Sequence, residues 1–430
     1  MALLLKSARC IDPLVGLDTI CDISVRDGRI AEVGQDLSIP KGLTIDLTGK
    51  VLVPGLVDMH VHLRDPGQEY KEDIRTGAAA AARGGFTAIL AMPNTDPVID
   101  CGSVVRYVLE RAAKVSRTRI YTAGALTAGL QGHDLAEIGD MVEAGVVAFS
   151  DDGRGVQDAG VMRRAMDYVK CFDKRVLSHC QDESLVGNGV VNEGRASTLL
   201  GLAGWPALGE EAQIARDIAL SKLTGCPLHI QHLTTAEGAD LVRKAKAEGL
   251  PVSCEVTPHH LFMNEDHLDA TYNTSLKMNP PLRTKADNKA LIEALLDGTI
   301  DTIATDHAPH AAHEKSLEFE LAPYGTIGLE TALSLILTNL VAPGIISWNR
   351  LIELMAHAPR RILGLELVSL KAHSVADLTI IDPEMTWTVE EHDFVSRSAN
   401  SAFIGSVLKG RVTDVYVGGY ASLENGELVD

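Results

Sequence analysis

The chain has 430 residues, 58 acidic against 39 basic side chains and a formal net charge of −19, so its surface as a whole repels nucleic acid and anionic membrane. Apolar residues make up 46% and charged residues 23%, the composition of a soluble globular protein long enough for one large domain and a smaller one. An anionic small molecule would need a local cationic pocket.

The seven cysteines are scattered, odd in number and without C-x-x-C spacing, which suits reduced thiols in a cytoplasmic protein. The opening MALLLKSARCID has too short an apolar core for a signal peptide. The most apolar later stretch, ALSLILTNLVAPGII, is interrupted by Thr338, Asn339 and Pro343 and falls short of a membrane span.

In chain order, residues 1–54 read as short strands broken by turns: LLLKSARCID, then DISVRDGRIAEVG with an Asp27-Gly28 hairpin signal, then LTIDLTGKVLVPG. From residue 55 the rhythm changes. Eight strand-like runs (LVDMHVHL, FTAILAMPN, RIYTAGALT, VVAFSDDG, RVLSHCQD, PLHIQHLT, PVSCEVTPHHL and TIATDHAP) alternate with helical patterns, several of which stop at glycine. Eight parallel strands and eight helices over about 300 residues fit a TIM-like (β/α)8 barrel of the α/β class. Short strands return near the end, in ADLTIIDP and SVLKGRVTDVYVGG. The expected architecture is a barrel over 55–365 with a small flanking β domain formed from both termini, 1–54 and 366–430.

Strands of such a barrel are buried on both faces, and their C-terminal ends carry the active site. The ionisable residues collect there: His60, His62 and Arg64 on the first strand, Asp151 and Asp152 on the fourth, His179 on the fifth, His232 on the sixth, His259 and His260 on the seventh, and Asp306, His307 and His310 on the eighth. Asn94 ends the second. Side chains two apart on a strand share a face, so His60 and His62 are expected to project together while Met59 and Val61 pack on the other side. Four imidazoles and two carboxylates on one rim suit a divalent zinc with nitrogen and oxygen ligands. His260 and His307 are expected to face elsewhere; the pattern leaves His259 open, and it leaves open which of Asp151 and Asp152 points inward.

The segments DMHVHLRDPGQEYKED, AMPNTDP, FSDDG, SHCQD, IQHLT, EVTPHHL, NPPLR, ATDHAPH and LKGRV, in this order, resemble the amidohydrolase superfamily and, within it, the long, type I bacterial dihydroorotases. The likeness runs over nearly the whole chain. It implies that His60, His62 and Asp306 hold one zinc, that His179 and His232 serve a second, and that Asp152 bridges the two. Many relatives bridge with a carbamylated lysine from the fourth strand, and VVAFSDDG has none. The resemblance further implies a substrate carboxylate gripped by Arg64, Asn94 and His310, with Asn279 of NPPLR contacting the ring. A bland alternative makes Arg64 a surface cation paired to Asp65 or Glu69.

The implied activity is zinc-dependent hydrolysis of a cyclic amide, interconverting dihydroorotate and N-carbamoyl-aspartate in pyrimidine synthesis. Zinc lowers the pKa of bound water to about 7 and polarises a carbonyl; Asp306 would act as general base and then acid. Residues 310–325 read either as a lid or as a solvated connection. Rival readings are a dihydropyrimidinase, hydantoinase or allantoinase, or an inert homologue serving as a scaffold for aspartate carbamoyltransferase. The resemblance also implies a homodimer and names that transferase as a candidate partner.

Overall fold

The computed structural model describes residues 2–429. Eight parallel strands, Leu56–Val61, Phe86–Ala91, Arg119–Gly124, Ala148–Phe149, Val176–Ser178, Leu228–Ile230, Val252–Val256 and Thr302–Ile303, lie side by side in chain order. The first and eighth meet through a parallel bridge between Val61 and His307, with His62 N–H donating to His307 O at 2.9 Å. The sheet is thereby a nearly closed barrel, as the alternating pattern predicts. Apart from Arg119 and Tyr121 on the third strand, every residue of these strands is buried, which explains why they read as near-continuous apolar runs.

The helices that cover the strands end where the sequence supplies a stop. Gly145 and Gly225, with φ of 113° and 70°, close Ile138–Ala144 and Leu208–Thr224 in a left-handed conformation that side chains disfavour. None of the described helices is long and apolar enough to cross a membrane; the stretch from Ala332 is an α-helix to Ile336 that continues as a π turn over Leu337–Val341.

One detail of the first strand departs from simple alternation. Its pairing register shifts between Asp58 and Val61, and Met59 joins a cluster with Leu90, Ala123, Leu177 and Ala304 while Val61 packs with Ile74 and Ala81 in the strand–helix layer. A bulge adds one residue and re-aims the side chains around it. His60 and His62 nevertheless converge, their ring centroids 5.5 Å apart.

The termini build a separate sheet. Ala2–Asp12, Leu17–Arg26, Arg29–Gly34, Leu43–Asp46 and Val51–Pro54 combine with Leu378–Thr388, Val407–Val417, Tyr420–Glu424 and Glu427–Leu428. Antiparallel pairing of Leu378–Ile381 with 51–54 knits the two ends of the chain together. The hairpin signal is realised: Arg26 pairs with Arg29 across Asp27 and Gly28, whose φ values are 50° and 78°.

Asp12 joins this sheet to the last barrel helices. Its fully buried carboxylate accepts from His357 Nε2 (3.0 Å), Ser369 Oγ (2.7 Å) and the Leu370 amide (2.7 Å). Burial opposes the charge, but these donors outweigh it and hold the carboxyl below its ordinary pKa. Its contribution is therefore present above the unfolded carboxylate pKa and lost as pH falls through the folded one. We expect Asp12→Ala to cost about 3 kcal/mol, read as a lower denaturation midpoint at pH 7, with the gap to the parent narrowing in acid. A midpoint unchanged at pH 7 would remove Asp12 as the joint.

Candidate active site

The loops after the barrel strands converge on a cavity of about 260 Å³ lined by His62, Arg64, Asn94, Asp152, Gly153, His179, His232, Asn279, Asp306, Ala308, His310, Pro323, Tyr324 and Gly325. His60 lies against its floor, fully buried. Residues drawn from positions 62 to 325 thus share one hollow.

Asp152 is the hub. Its two oxygens lie 3.3 Å from His60 Nε2, 3.4 Å from His62 Nε2, 3.5 Å from His179 Nδ1 and 3.9 Å from His232 Nε2. Asp306 Oδ1 sits 3.0 Å from His62 Nε2 and 3.6 Å from His60 Nε2. The choice left open on the fourth strand is settled by hydrogen bonding: Asp151 is spent on the amides of Leu126 and Thr127 and on the Thr127 hydroxyl, away from the cavity.

The donor set fits a metal. Candidate ligand atoms of His60, His62 and Asp306 lie within 4.8 Å of one another, as do those of His60, Asp152 and His232. His179 Nδ1 and His232 Nε2 face each other at 2.8 Å beside the Asp152 carboxylate. Imidazole nitrogens and carboxylate oxygens of this number, all removed from water, suit a borderline divalent ion. The charges within the cluster compensate one another. Burial opposes charge on His60, yet the Glu255, Asp152 and Asp306 carboxylates hold its pKa well above the ordinary value. Asp152 is held well below its own, burial being overcome by His60, His179 and His62. His232 is pushed well below by burial and by its neighbours His179 and His60.

The atoms turned away from the centre are held too. His60 Nδ1 is 2.5 Å from Glu255 Oε1, His62 Nδ1 is 2.9 Å from Asn94 Oδ1, and His179 Nε2 is 2.9 Å from Gln181 Oε1. Such partners fix the ring and its tautomer. Glu255 itself is drawn down to about 2, burial being outweighed by His60 and His229. Sequence reading missed Glu255, although a lone carboxylate inside the apolar strand VSCEV was a signal. Gln181 was also missed, and so was Asn400, which accepts from the His310 amide and donates to Ala308 O and Gly325 O from far along the chain.

Arg64 turns inward with a φ of 59°. Its Nε donates to Pro309 O at 3.2 Å and Nη2 lies 3.3 Å from His310 Nε2, both neutral partners. The surface alternative is excluded because Asp65 is engaged by Arg111 (2.7 Å) and Tyr107 (3.2 Å), and Glu69 by the Gly67 amide. Asn94 lines the cavity, but its oxygen is committed to His62 and its nitrogen lies 3.5 Å from Asp152. His310 is packed against Tyr324 O at 2.8 Å, and burial together with Arg64 pushes its pKa far down. Asn279 Oδ1 and His310 Nδ1 are buried without hydrogen-bond partners.

Three histidines stay outside. His260 is spent on Thr257 and Pro280 O, and His307 on Glu72 and the Gly328 amide. His259 lies against His260, ring centroids 4.3 Å apart and planes tilted by 56°, and does not line the cavity. The 310–325 segment is a folded cover: Lys277 Nζ donates to Glu320 O and Ala322 O, Lys315 Nζ to Pro323 O, and the turn they hold places Pro323, Tyr324 and Gly325 on the cavity wall.

A barrel with these nitrogen and oxygen donors at its C-terminal rim has the architecture of a cyclic amidohydrolase. The dihydro-orotase-like family model matches residues 49–238. A dihydroorotase of Citrifermentans bemidjiense is 47% identical over 420 residues, covering 97% of this chain and 99% of the relative. One of Acetivibrio thermocellus is 47% identical over 427 residues, 99% of this chain and 98% of the relative. Among solved structures, an L-hydantoinase (dihydropyrimidinase) from Arthrobacter aurescens superposes with a TM-score of 0.89 at 27% identity, over 100% of this chain and 97% of that one. A dihydropyrimidinase from Brevibacillus agri, TM-score 0.88 at 21% identity over 100% and 96%, shares the fold. The chain belongs to the dihydroorotase family.

Glu255 offers a test of the centre that does not depend on turnover. Glu255→Gln is expected to weaken metal retention by on the order of 10–100-fold, measured as metal per chain after dialysis against graded chelator. Retention equal to the parent would show that the carboxylate does not tune His60.

Proposed function

We propose that this chain is a zinc-dependent dihydroorotase that interconverts (S)-dihydroorotate and N-carbamoyl-L-aspartate in de novo pyrimidine (UMP) biosynthesis, acting in the cytoplasm. The relatives named dihydroorotase support the activity. The observation that carries the substrate is Arg64, a buried guanidinium whose own partners are neutral, on the wall of a cavity in a chain of net charge −19.

In this reading His60, His62 and Asp306 would hold one zinc and His179 and His232 a second, with Asp152 available to both. Bound zinc supplies a water activated near neutral pH and polarises the ring carbonyl. The chain's own residues do the rest. Arg64 grips the substrate carboxylate, with Asn94 and His310 shaping the same wall and Asn279 at the ring. Asp306 accepts the proton of the attacking water and returns it to the departing ring nitrogen, so that the amide C–N bond breaks and the water oxygen ends in the new carboxylate. The cover at 311–325 limits bulk water. The same reading divides the chain into a barrel unit at 55–365 and a β unit from 1–54 and 366–430, and extends to a homodimer and to association with aspartate carbamoyltransferase.

Asp306→Asn is expected to lower kcat by about 10²–10⁴-fold while the circular dichroism spectrum and bound zinc persist. Near-normal turnover with zinc in place would refute the proton role. Arg64→Ala should raise KM for dihydroorotate on the order of 100-fold, in line with loss of a charge-assisted pair, and should change little for the uncharged ring dihydrouracil. Equal losses on both rings would count against the carboxylate clamp and favour a neutral-ring hydrolase.

A further inference from the structure

Gln181 follows the fifth strand, two residues beyond His179. Its side-chain oxygen sits 2.9 Å from His179 Nε2 and 3.0 Å from Asn279 Nδ2. An amide oxygen can only accept. His179 must therefore carry its proton on Nε2, which makes Nδ1 the ring's lone-pair atom, and Nδ1 is the atom facing His232 Nε2 at 2.8 Å and Asp152 Oδ1 at 3.5 Å. The second bond uses the NH2 of Asn279 and so turns its Oδ1 the other way. That oxygen is buried without a hydrogen-bond partner on a residue that lines the cavity. A buried acceptor left in this state fits an N–H donor and rejects a second acceptor.

We propose that Gln181 is a positioning residue that sets two groups with one carbonyl: it points the Nδ1 lone pair of His179 at the metal, and it points Asn279 Oδ1 at a ring N–H of the substrate. The inference rests on the cyclic-amide reading above for its second arm and on the donor set alone for its first. It gives the site a specificity element separate from the carboxylate grip. A ring carrying N–H at that place is held, and one carrying an alkyl group or a carbonyl there is refused.

The test compares the full-length parent with Gln181→Met, Gln181→Asn and Gln181→Glu. Zinc per chain is measured after graded chelation without substrate, and kcat and KM for dihydroorotate are measured in excess zinc. Gln181→Met removes both acceptor lone pairs and Gln181→Asn withdraws them by one methylene. Both are expected to lower affinity for the zinc held by His179 and His232 by on the order of 10–100-fold and, in excess zinc, to raise KM about tenfold with kcat little changed. Gln181→Glu keeps both lone pairs and is expected to recover zinc retention and KM. Parent-like zinc retention and KM in Met and Asn would overturn the proposal, as would equal losses in all three variants, the mark of a merely structural role. If zinc retention follows the expected order but the parent does not turn over dihydroorotate, the His179 arm is supported and the substrate reading is the one that fails.

Discussion

The site turns on a carboxylate that the fold keeps out of water within reach of four imidazoles. An isolated buried charge costs several kcal/mol, and Asp152 is 4% exposed. It is tolerated because imidazoles reach it from three different strands, the first, the fifth and the sixth, and it in turn makes the buried imidazoles tolerable. The opposite shifts of Asp152 and His60 are two sides of that compensation. A divalent ion bound among these donors would satisfy the same atoms with less repulsion among the histidines, which are pressed to 2.8 Å at His179 and His232.

Compensation at the centre demands rigidity around it. Each ring whose outer nitrogen is engaged draws its partner from a different place: Glu255 from the seventh strand, Asn94 from the end of the second, Gln181 from beyond the fifth. Glu255 is braced in turn by His229 at 3.1 Å, and Asp58 accepts from both the His60 and Thr305 amides, tying the first strand to the eighth beneath the ligands. Burial raises the Asp58 carboxyl to about 7, against the Thr305 and His60 amides that favour its charge. The hydrogen bonds that close the barrel and those that aim the ligands are therefore one system.

This layering explains what the sequence made legible. Strand number and order, the hairpin at Asp27-Gly28 and the rim position of the polar residues follow from apolar runs alternating with helical patterns and from turn chemistry, both local properties. His60, His62, His179, His232 and Asp306 stood out because several imidazoles and carboxylates collect at the C-terminal ends of strands buried on both faces. The fourth strand was ambiguous because Asp151 and Asp152 are adjacent and only their partners distinguish them. The bulge at Met59–His60 was invisible because pairing register depends on the neighbouring strand. Asn400 could not be found at all: an asparagine in the loop SRSAN looks like any turn residue until residues 90 positions away fold against it.

The cover over the cavity follows from the same economy of buried polar groups. Glu320, Ala322 and Pro323 turn their carbonyls toward two ammonium groups, Lys277 and Lys315, and the Lys277 ammonium also lies 4.4 Å from the Tyr324 ring centre. Burial lowers these lysines to about 8 and about 7, so they hold the turn as hydrogen-bond donors whether or not each keeps its full charge. Glu314 fastens the other end to Lys71 at 2.9 Å, and with that pair closed its carboxylate is committed. The cations nearest the cavity are then countered mainly by carbonyl dipoles. In a chain that is acidic elsewhere, Arg64 thus brings a buried guanidinium to the cavity wall with a backbone carbonyl, Pro309 O, as its hydrogen-bond acceptor.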